Sequence, residues 1–219
     1  MLTFLRVFLL KTDSYRILMS ESKRAGNDSD YLQVAKIHAS CIKDGFLTSL
    51  GERFLKLLYE AIDTNENSIL ILEKSNDDLV GFVAGGRSMK PIYIKLLLSF
   101  PKLFFALIPA VFNPMNIKRI IELIFFGSKQ HTVELNPSAE LFSIAVVDKA
   151  RGTGVASKLY QSLGERFAQE GEKSFCIIVG ETLVPAHRFY QKMGAFALSE
   201  VSVHKGQSST LYRQNLPIP

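Results

Sequence analysis

Cysteine is scarce in this chain of 219 residues, which contains Cys41, Cys176 and no tryptophan. The two cysteines lie far apart and fit no metal-ligand spacing, so the sequence offers neither a disulfide framework nor a zinc site. We therefore expect no metal and a cytoplasmic location. Charged residues make up 21% of the chain and hydrophobic residues 47%, which is enough apolar material for one sizeable core.

The sequence also lacks an uninterrupted apolar run that could cross a membrane. A spanning helix needs about 20 predominantly apolar residues, and the candidate window at residues 92–112 contains two lysines and two prolines. The apolar residues 1–10 are followed by no small-residue cleavage site, which argues against a secretory signal. We expect one domain over residues 1–219, with residues 1–14 as a disordered extension.

Acidic residues are nearly absent from one segment. Residues 87–130 carry seven basic residues and one acid, Glu122, so this segment contributes +6 to a total net charge of +5. Its basic residues alternate with aliphatic bulk and match no nucleic-acid-reading module, so we expect no nucleic-acid partner. We interpret residues 87–136 as a basic, apolar helical insertion that covers the functional site. Peripheral contact with a membrane through residues 87–130 is the alternative.

The first half of the chain combines helical and strand patterns. A short first strand is expected at residues 15–19, and two amphipathic helices follow, the first with Asp28 or Ser29 as its N-cap. Two apolar runs at residues 68–73 and 79–84 flank a Ser-Asn-Asp-Asp turn. This pattern predicts an antiparallel hairpin.

The second half begins with a strand predicted at residues 141–147, a glycine-containing turn and a helix from residue 155 to residue 169. Within this helix Leu159, Leu163 and Phe167 repeat every four residues, which is typical of a core stripe. The remaining predicted elements are a strand, a short helix and two further strands, at residues 174–179, 185–192, 196–204 and 210–215.

Residues 146–156 lead from the strand through two glycines directly into the helix. The first amides of a helix lack backbone partners and carry partial positive charge, which suits a diphosphate. Gly152 and Gly154 allow close approach of a ligand, and Arg151 adds a planar, permanently charged donor. The turn lacks the third glycine of a dinucleotide fingerprint and the Gly-Lys-Ser/Thr of a P-loop. From the pattern alone, a phosphate site and an ordinary strand-to-helix turn both stay open.

Two segments resemble the GNAT superfamily of acyltransferases. Residues 151–156, Arg-Gly-Thr-Gly-Val-Ala, resemble its Arg/Gln-X-X-Gly-X-Gly/Ala signature and stand between the predicted strand and helix as that signature does. Residues 185–196 resemble its second recurring segment, an Ala-X-X-Phe-Tyr-X-Lys-X-Gly run. One position departs from the family: Leu183 stands where asparagine is common, which puts one side-chain contact in question.

The resemblance implies an α/β (α+β) fold with a mixed, mostly antiparallel sheet flanked by helices. The sheet would be splayed between its fourth and fifth strands, at residues 141–147 and 174–179, with the insertion between the third and fourth. Acetyl-CoA is the implied co-substrate, its pantetheine arm on the first of these strands and its pyrophosphate on the turn. The implied binding residues are Ile144, Ala145, Val146, Arg151, Gly152, Thr153, Gly154, Val155, Ala156 and Tyr190.

The implied activity is direct transfer of an acetyl group from acetyl-CoA to a primary amine of a small molecule, amino sugar or protein. Tyr190 is the implied acid for the departing thiolate. Glu140 is the implied base, because its place at the strand head matches the base of the histone-modifying branch. A packing tyrosine and an exposed strand-end charge are the structural alternatives, and His38, His187 and Glu181 are weaker candidates for the base.

Two other functions stay open. One is a non-catalytic acyl-CoA-binding or regulatory module, which thiol release with amines would separate from an enzyme. The other is a membrane-surface acyltransferase that acts on a lipid-linked acceptor. A homodimer is a further expectation that nothing in the pattern decides.

Overall fold

The computed structural model describes residues 25–43, 45–111, 138–204 and 207–219. The expected extension at residues 1–14, the strand predicted at residues 15–19 and the last part of the predicted insertion, from residue 112 onward, lie outside these ranges.

Six strands and seven α-helices make up this part of the chain. The strands are β1 Ser68–Ser75, β2 Asp78–Gly86, β3 Ala139–Val146, β4 Ser174–Gly180, β5 Phe196–His204 and β6 Gln207–Asn215. The helices are α1 Asp28–Cys41, α2 Phe46–Ser49, α3 Glu52–Asp63, α4 Lys90–Leu98, α5 Phe100–Val111, α6 Val155–Gln169 and α7 Val184–Lys192. A 3-10 turn, Asp148–Ala150, precedes the glycines that lead into α6.

The strands form one sheet in the order β1-β2-β3-β4-β6-β5. β3 and β4 are parallel, and the other neighbouring pairs in the described sheet are antiparallel. The parallel pairing extends over three residues, from Ala139 to Leu141, and the two strands then separate. These are the strands predicted at residues 141–147 and 174–179, so the expected splay lies between them.

Each face of the sheet carries its own core. On one face α6 inserts Leu159, Leu163 and Phe167, which are completely buried in a cluster that also includes Tyr190 of α7. On the other face α1, α3, α4 and α5 pack around residues such as Phe82 of β2. The helical stripe predicted for α6 is therefore the contact between that helix and the sheet.

The N-terminus of α1 corrects one expectation. Asn27 is the N-cap, because its backbone is extended while Asp28 and Ser29 already lie in the helix. The Asn27 side chain accepts hydrogen bonds from the amides of Ser29 and Asp30, and the Asp30 carboxylate accepts from the Asn27 amide. The capping box thus begins one or two residues before the predicted cap, Asp28 or Ser29.

The predicted hairpin is formed by β1 and β2. Ser75 pairs with Asp78, and Asn76 and Asp77 between them have φ values of 49° and 67°. Both central residues with positive φ give the two-residue turn that matches the twist of antiparallel strands. Asparagine and aspartate tolerate this conformation better than most side chains.

α4 and α5 lie between β2 and β3, where the insertion was predicted. Pro91 and Pro101 stand in their first turns, positions at which the missing N–H costs no helical hydrogen bond. Among the described helices, none is long and apolar enough to span a membrane alone. α4 and residues 101–108 of α5 together have the length and composition of a span, but they are bent by 96° relative to each other.

Candidate active site

β3 contains a β-bulge beside the point at which it leaves β4. Leu141 pairs with Gly85 and Ser143 pairs with Ala84, so Phe142 is an extra residue on β3. A bulge bends the strand and interrupts its ladder. The irregularity therefore coincides with the end of the β3–β4 pairing and helps to open the gap between the two strands.

The main chain of β3 faces this gap at alternate residues. The Val147 N–H donates to the Val80 carbonyl across the β2 side, at 3.0 Å. Because successive residues of a strand direct their backbone groups to opposite edges, Val146 and Ile144 present theirs toward β4. The Val146 carbonyl accepts a weak hydrogen bond from the Cys41 thiol at 3.5 Å.

The turn from β3 into α6 depends on two glycines. Gly152 has a φ of 79° and Gly154, the N-cap of α6, has a φ of 90°. A Cβ built on either residue would meet no atom within 4 Å. Glycine is therefore required here by the backbone conformation, and the space in front of the turn is open to a ligand.

Unpaired amides follow one another through this turn. The first helical hydrogen bond of α6 runs from the Lys158 N–H to the Gly154 carbonyl, at 3.0 Å. In the described part of the chain, the amides from Gly152 to Ser157 donate to no backbone or side-chain acceptor. Six consecutive donors thus stand at the positive end of a 15-residue helix. Ser157 was not among the predicted binding residues.

Side chains add charge and rigidity to the turn. Arg151 is 61% exposed and forms an ion pair with Asp148 at 2.9 Å, within the same loop. The Thr153 hydroxyl donates to the Ala150 carbonyl at 2.7 Å. Unpaired donors, an exposed cation and open space are together the chemistry that a diphosphate requires. The predicted residues of this loop therefore fit the pyrophosphate of a coenzyme A.

Tyr190 lies in α7 on the α6 face of the sheet. It is 6% exposed and contacts the rings of Tyr160, Phe189 and Tyr212. It belongs to the buried cluster that also contains Val146 of β3. Burial raises the pKa of its phenol, so Tyr190 carries its proton at neutral pH. Its hydroxyl forms no hydrogen bond to another described residue.

Glu140 lies near the start of β3, on the sheet face opposite α6. Burial raises the pKa of its carboxyl group to about 7. Tyr93 of α4 is its neighbour: burial raises the pKa of the Tyr93 phenol to about 12, and the charge of Glu140 contributes. Within the described residues the Glu140 carboxylate has no hydrogen-bond or ion-pair partner. It is therefore available to accept a proton close to neutral pH.

The comparison with protein families decides the family. The model of the acetyltransferase (GNAT) family matches residues 33–195, which is more than half of the chain. This chain belongs to the GNAT acetyltransferase family.

Solved structures of acetyltransferases share the fold of this GNAT protein. An N-acetyltransferase from Staphylococcus aureus Mu50 gives a TM-score of 0.56 at 15% identity, covering 88% of this chain and 96% of that one. An aminoglycoside 6'-N-acetyltransferase complexed with coenzyme A gives 0.54 at 13% identity, covering 88% of this chain and 94% of the other. A comparison with curated proteins found no match.

These findings confirm the GNAT resemblance, the predicted fold class and the prediction that the chain is an acyltransferase. At these identities the structural likeness shows the fold alone. The acceptor and the roles of individual residues stay predictions.

His38 of this GNAT protein is a buried, neutral residue. Burial lowers the pKa of its ring to about 4. Its Nδ1 lies 2.6 Å from the Tyr59 hydroxyl, which in turn lies 2.8 Å from the Ser143 hydroxyl at the bulge. This chain of hydrogen bonds ties α1 and α3 to β3. No local pattern indicates these hydrogen bonds, because the three residues come from distant segments.

His187 is also engaged by the protein. Its Nε2 donates to the Gly180 carbonyl at 3.1 Å, so its Nδ1 accepts from the Tyr212 hydroxyl at 2.8 Å. Both ring nitrogens are thereby occupied. His187 joins α7 to the end of β4 and to β6. Glu140 is therefore the stronger candidate for the base.

Proposed function

We propose that this protein transfers an acetyl group from acetyl-CoA directly to a primary amine. The observation that carries the proposal is the run of unpaired amides from Gly152 to Ser157 beside the gap between β3 and β4. The structural neighbour complexed with coenzyme A supports the same co-substrate. Acetyl-CoA would supply the acetyl group as a thioester, with the β3 backbone along its pantetheine arm.

Glu140 is the proposed general base. An amine of lysine type has a reference pKa of about 10.4, so it arrives protonated and must lose a proton before it attacks. A base is most effective when its pKa lies near the working pH. The raised pKa of Glu140, about 7, meets this condition and follows from burial.

Tyr190 is the proposed general acid. Its phenol is neutral at the working pH, because burial raises the pKa. The proton on its oxygen can pass to the sulfur that departs from the acetyl group, or stabilise that sulfur by a hydrogen bond. Its hydroxyl is not committed to another described residue, which leaves it free for this contact.

Release of free thiol from acetyl-CoA tests the proposal. With a panel of primary amines, we expect thiol release that depends on the amine and yields the acetylated product by mass spectrometry. Coenzyme A binding without any amine-dependent release would instead identify a non-catalytic acyl-CoA-binding module. Absence of coenzyme A binding would contradict the proposed function.

A second candidate is an enzyme that works at a membrane surface, and the outer faces of α4 and α5 favour it. Both helices bury one face, yet their other faces expose Leu98 by 82% and Phe105 by 63%. The remaining exposed apolar side chains here are Ile94, Leu97, Phe104 and Ile108. The described residues of 87–111 include four basic side chains and no acid, which complements an anionic bilayer.

Co-sedimentation with vesicles of anionic or neutral lipid tests this second candidate. We expect binding to anionic vesicles that weakens with salt and is lost on combining Leu98→Asp with Phe105→Asp. Leu198→Asp, on exposed β5, is the matched control, since Leu198 is 45% exposed outside the insertion. Absence of binding at low salt would contradict the membrane contact.

A further inference from the structure

Three strands carry a row of side chains on the sheet face opposite α6. Glu140 of β3 pairs with Cys176 of β4, and Cys176 pairs with Arg213 of β6. Phe175 and Tyr212, next to Cys176 and Arg213, belong to the core under α6. Because side chains alternate along a strand, the three residues of the row point to the other face.

The two charged members of the row, Glu140 and Arg213, are separated by one intervening strand, β4. With strands about 4.8 Å apart, the Cα atoms of Glu140 and Arg213 are separated by about 10 Å. Burial raises the pKa of the Cys176 thiol between them, while the Arg213 charge lowers it and the Glu140 charge raises it further. Both charges thus act on the same buried, small side chain.

Neither charge is satisfied by a residue that the structure describes. In the described residues Arg213 forms no ion pair and no side-chain hydrogen bond, and its Nε is completely buried without an acceptor. Glu140 likewise has no partner, and the two do not pair with each other. A buried donor or charge without a partner is costly. Such a pair of complementary, unpaired charges is typical of groups that a ligand completes.

We infer that the acceptor is an amine that also carries a carboxylate, with its amino group at Glu140 and its carboxylate on the Arg213 guanidinium. This inference rests on the proposed function and names its substrate class. A guanidinium offers a planar fork of donors that matches a carboxylate. Both side chains are partly exposed, so such a substrate can reach them, while Cys176 beneath is buried.

The arrangement also predicts which amines are poor acceptors. A polycationic amine would place further positive charge near Arg213, which is unfavourable in a site partly removed from water. An amine without an anionic group would leave the buried Nε unpaired. We therefore expect free amino acids and related aminocarboxylates to be preferred over their amides and over polyamines.

Paired acceptors test the inference: the twenty amino acids, the corresponding amino acid amides and the decarboxylated amines, assayed by thiol release. We expect kcat/KM for the best aminocarboxylate to exceed that of its amide by about ten- to a hundredfold. Arg213→Met should remove this ratio, mainly through the KM of the acid, and Arg213→Lys should restore part of it. Arg166→Met, on the exposed side of α6, is the matched control and should keep the ratio.

The outcomes separate this inference from the proposed function. Unchanged coenzyme A binding by calorimetry shows that Arg213→Met is folded. Equal rates with acids and amides in the natural protein, or a ratio that survives Arg213→Met, would overturn the substrate class while leaving acetyl transfer intact. If no amine in any panel causes thiol release, the proposed function itself would be overturned.

Discussion

The two halves of the proposed site differ in the groups that would bind the ligands. The half proposed for coenzyme A consists of consecutive backbone groups from Gly152 to Ser157. The half proposed for the acceptor consists of side chains from three strands, Glu140, Cys176 and Arg213. Backbone donors depend on conformation and tolerate varied side chains. The acceptor half depends on particular side chains, so a substitution there can change specificity without changing the fold.

Tyr190→Phe gives the largest expected effect, because it removes one proposed proton donor and keeps the ring. We expect kcat to fall by about 10² to 10⁴ with little change in coenzyme A affinity. Tyr160→Phe is the matched control: its buried hydroxyl donates to Gln214 at 3.0 Å, so its loss should reduce stability and leave kcat nearly unchanged. Equal kcat values for Tyr190→Phe and the natural protein would reject the acid role.

Glu140→Gln tests the base on the other face of the sheet. We expect kcat to fall by a factor of about 10² or more. In the natural protein kcat should rise with pH and level off above about 7, the pKa of Glu140. In the Glu140→Gln variant this rise of kcat with pH should be absent. Glu181→Gln, at an exposed position after β4, is the control and should keep the rise of kcat with pH. A pH profile that is the same in Glu140→Gln and the natural protein would exclude Glu140 as the base.

Gly154→Ala tests the backbone side of the comparison. A Cβ at φ 90° strains the turn and intrudes on the open space before it. We expect coenzyme A affinity to fall by about ten- to a hundredfold, since hydrogen bonds to charged groups contribute about 1.5–3 kcal/mol. Gly171→Ala, with φ 86° and equally open surroundings beyond the other end of α6, should show similar strain and unchanged affinity in calorimetry.

The smallest expected effect concerns stability. The pKa of Glu140 rises from 4.5 to about 7 on folding, so the unfolded chain releases this proton first. The free energy of unfolding should therefore fall as pH rises from 4.5 to 7. We expect Glu140→Gln to be more stable than the natural protein at pH 8 by about 1–3 kcal/mol, and no more stable at pH 4. Urea denaturation at both pH values measures this, and a gain that is equal at both would contradict the assignment.

Much of the fold follows from local patterns in the sequence. The Asn76-Asp77 turn and the stripe of Leu159, Leu163 and Phe167 predicted a hairpin and a helix that the structure contains. The cap of α1 was placed one or two residues late, because Asp28 and Ser29 are equally good capping residues and only backbone geometry selects Asn27.

The site was predictable where it is contiguous in sequence. The coenzyme A turn is one short segment, so its glycines and helix start could be recognised together. Arg213 could not be predicted as a site residue, because its relation to Glu140 depends on the pairing of β3, β4 and β6. The hydrogen-bond chain from His38 to Ser143 also depends on packing between distant segments.

Amide chemical shifts during a titration with coenzyme A test the central claim most directly. The unpaired amides from Gly152 to Ser157 should show the largest downfield changes, as expected for donors that acquire a phosphate acceptor. The chemical shift of the Gly171 amide should not change. Saturable shifts confined to another part of the chain, or none at millimolar coenzyme A, would contradict the proposed site.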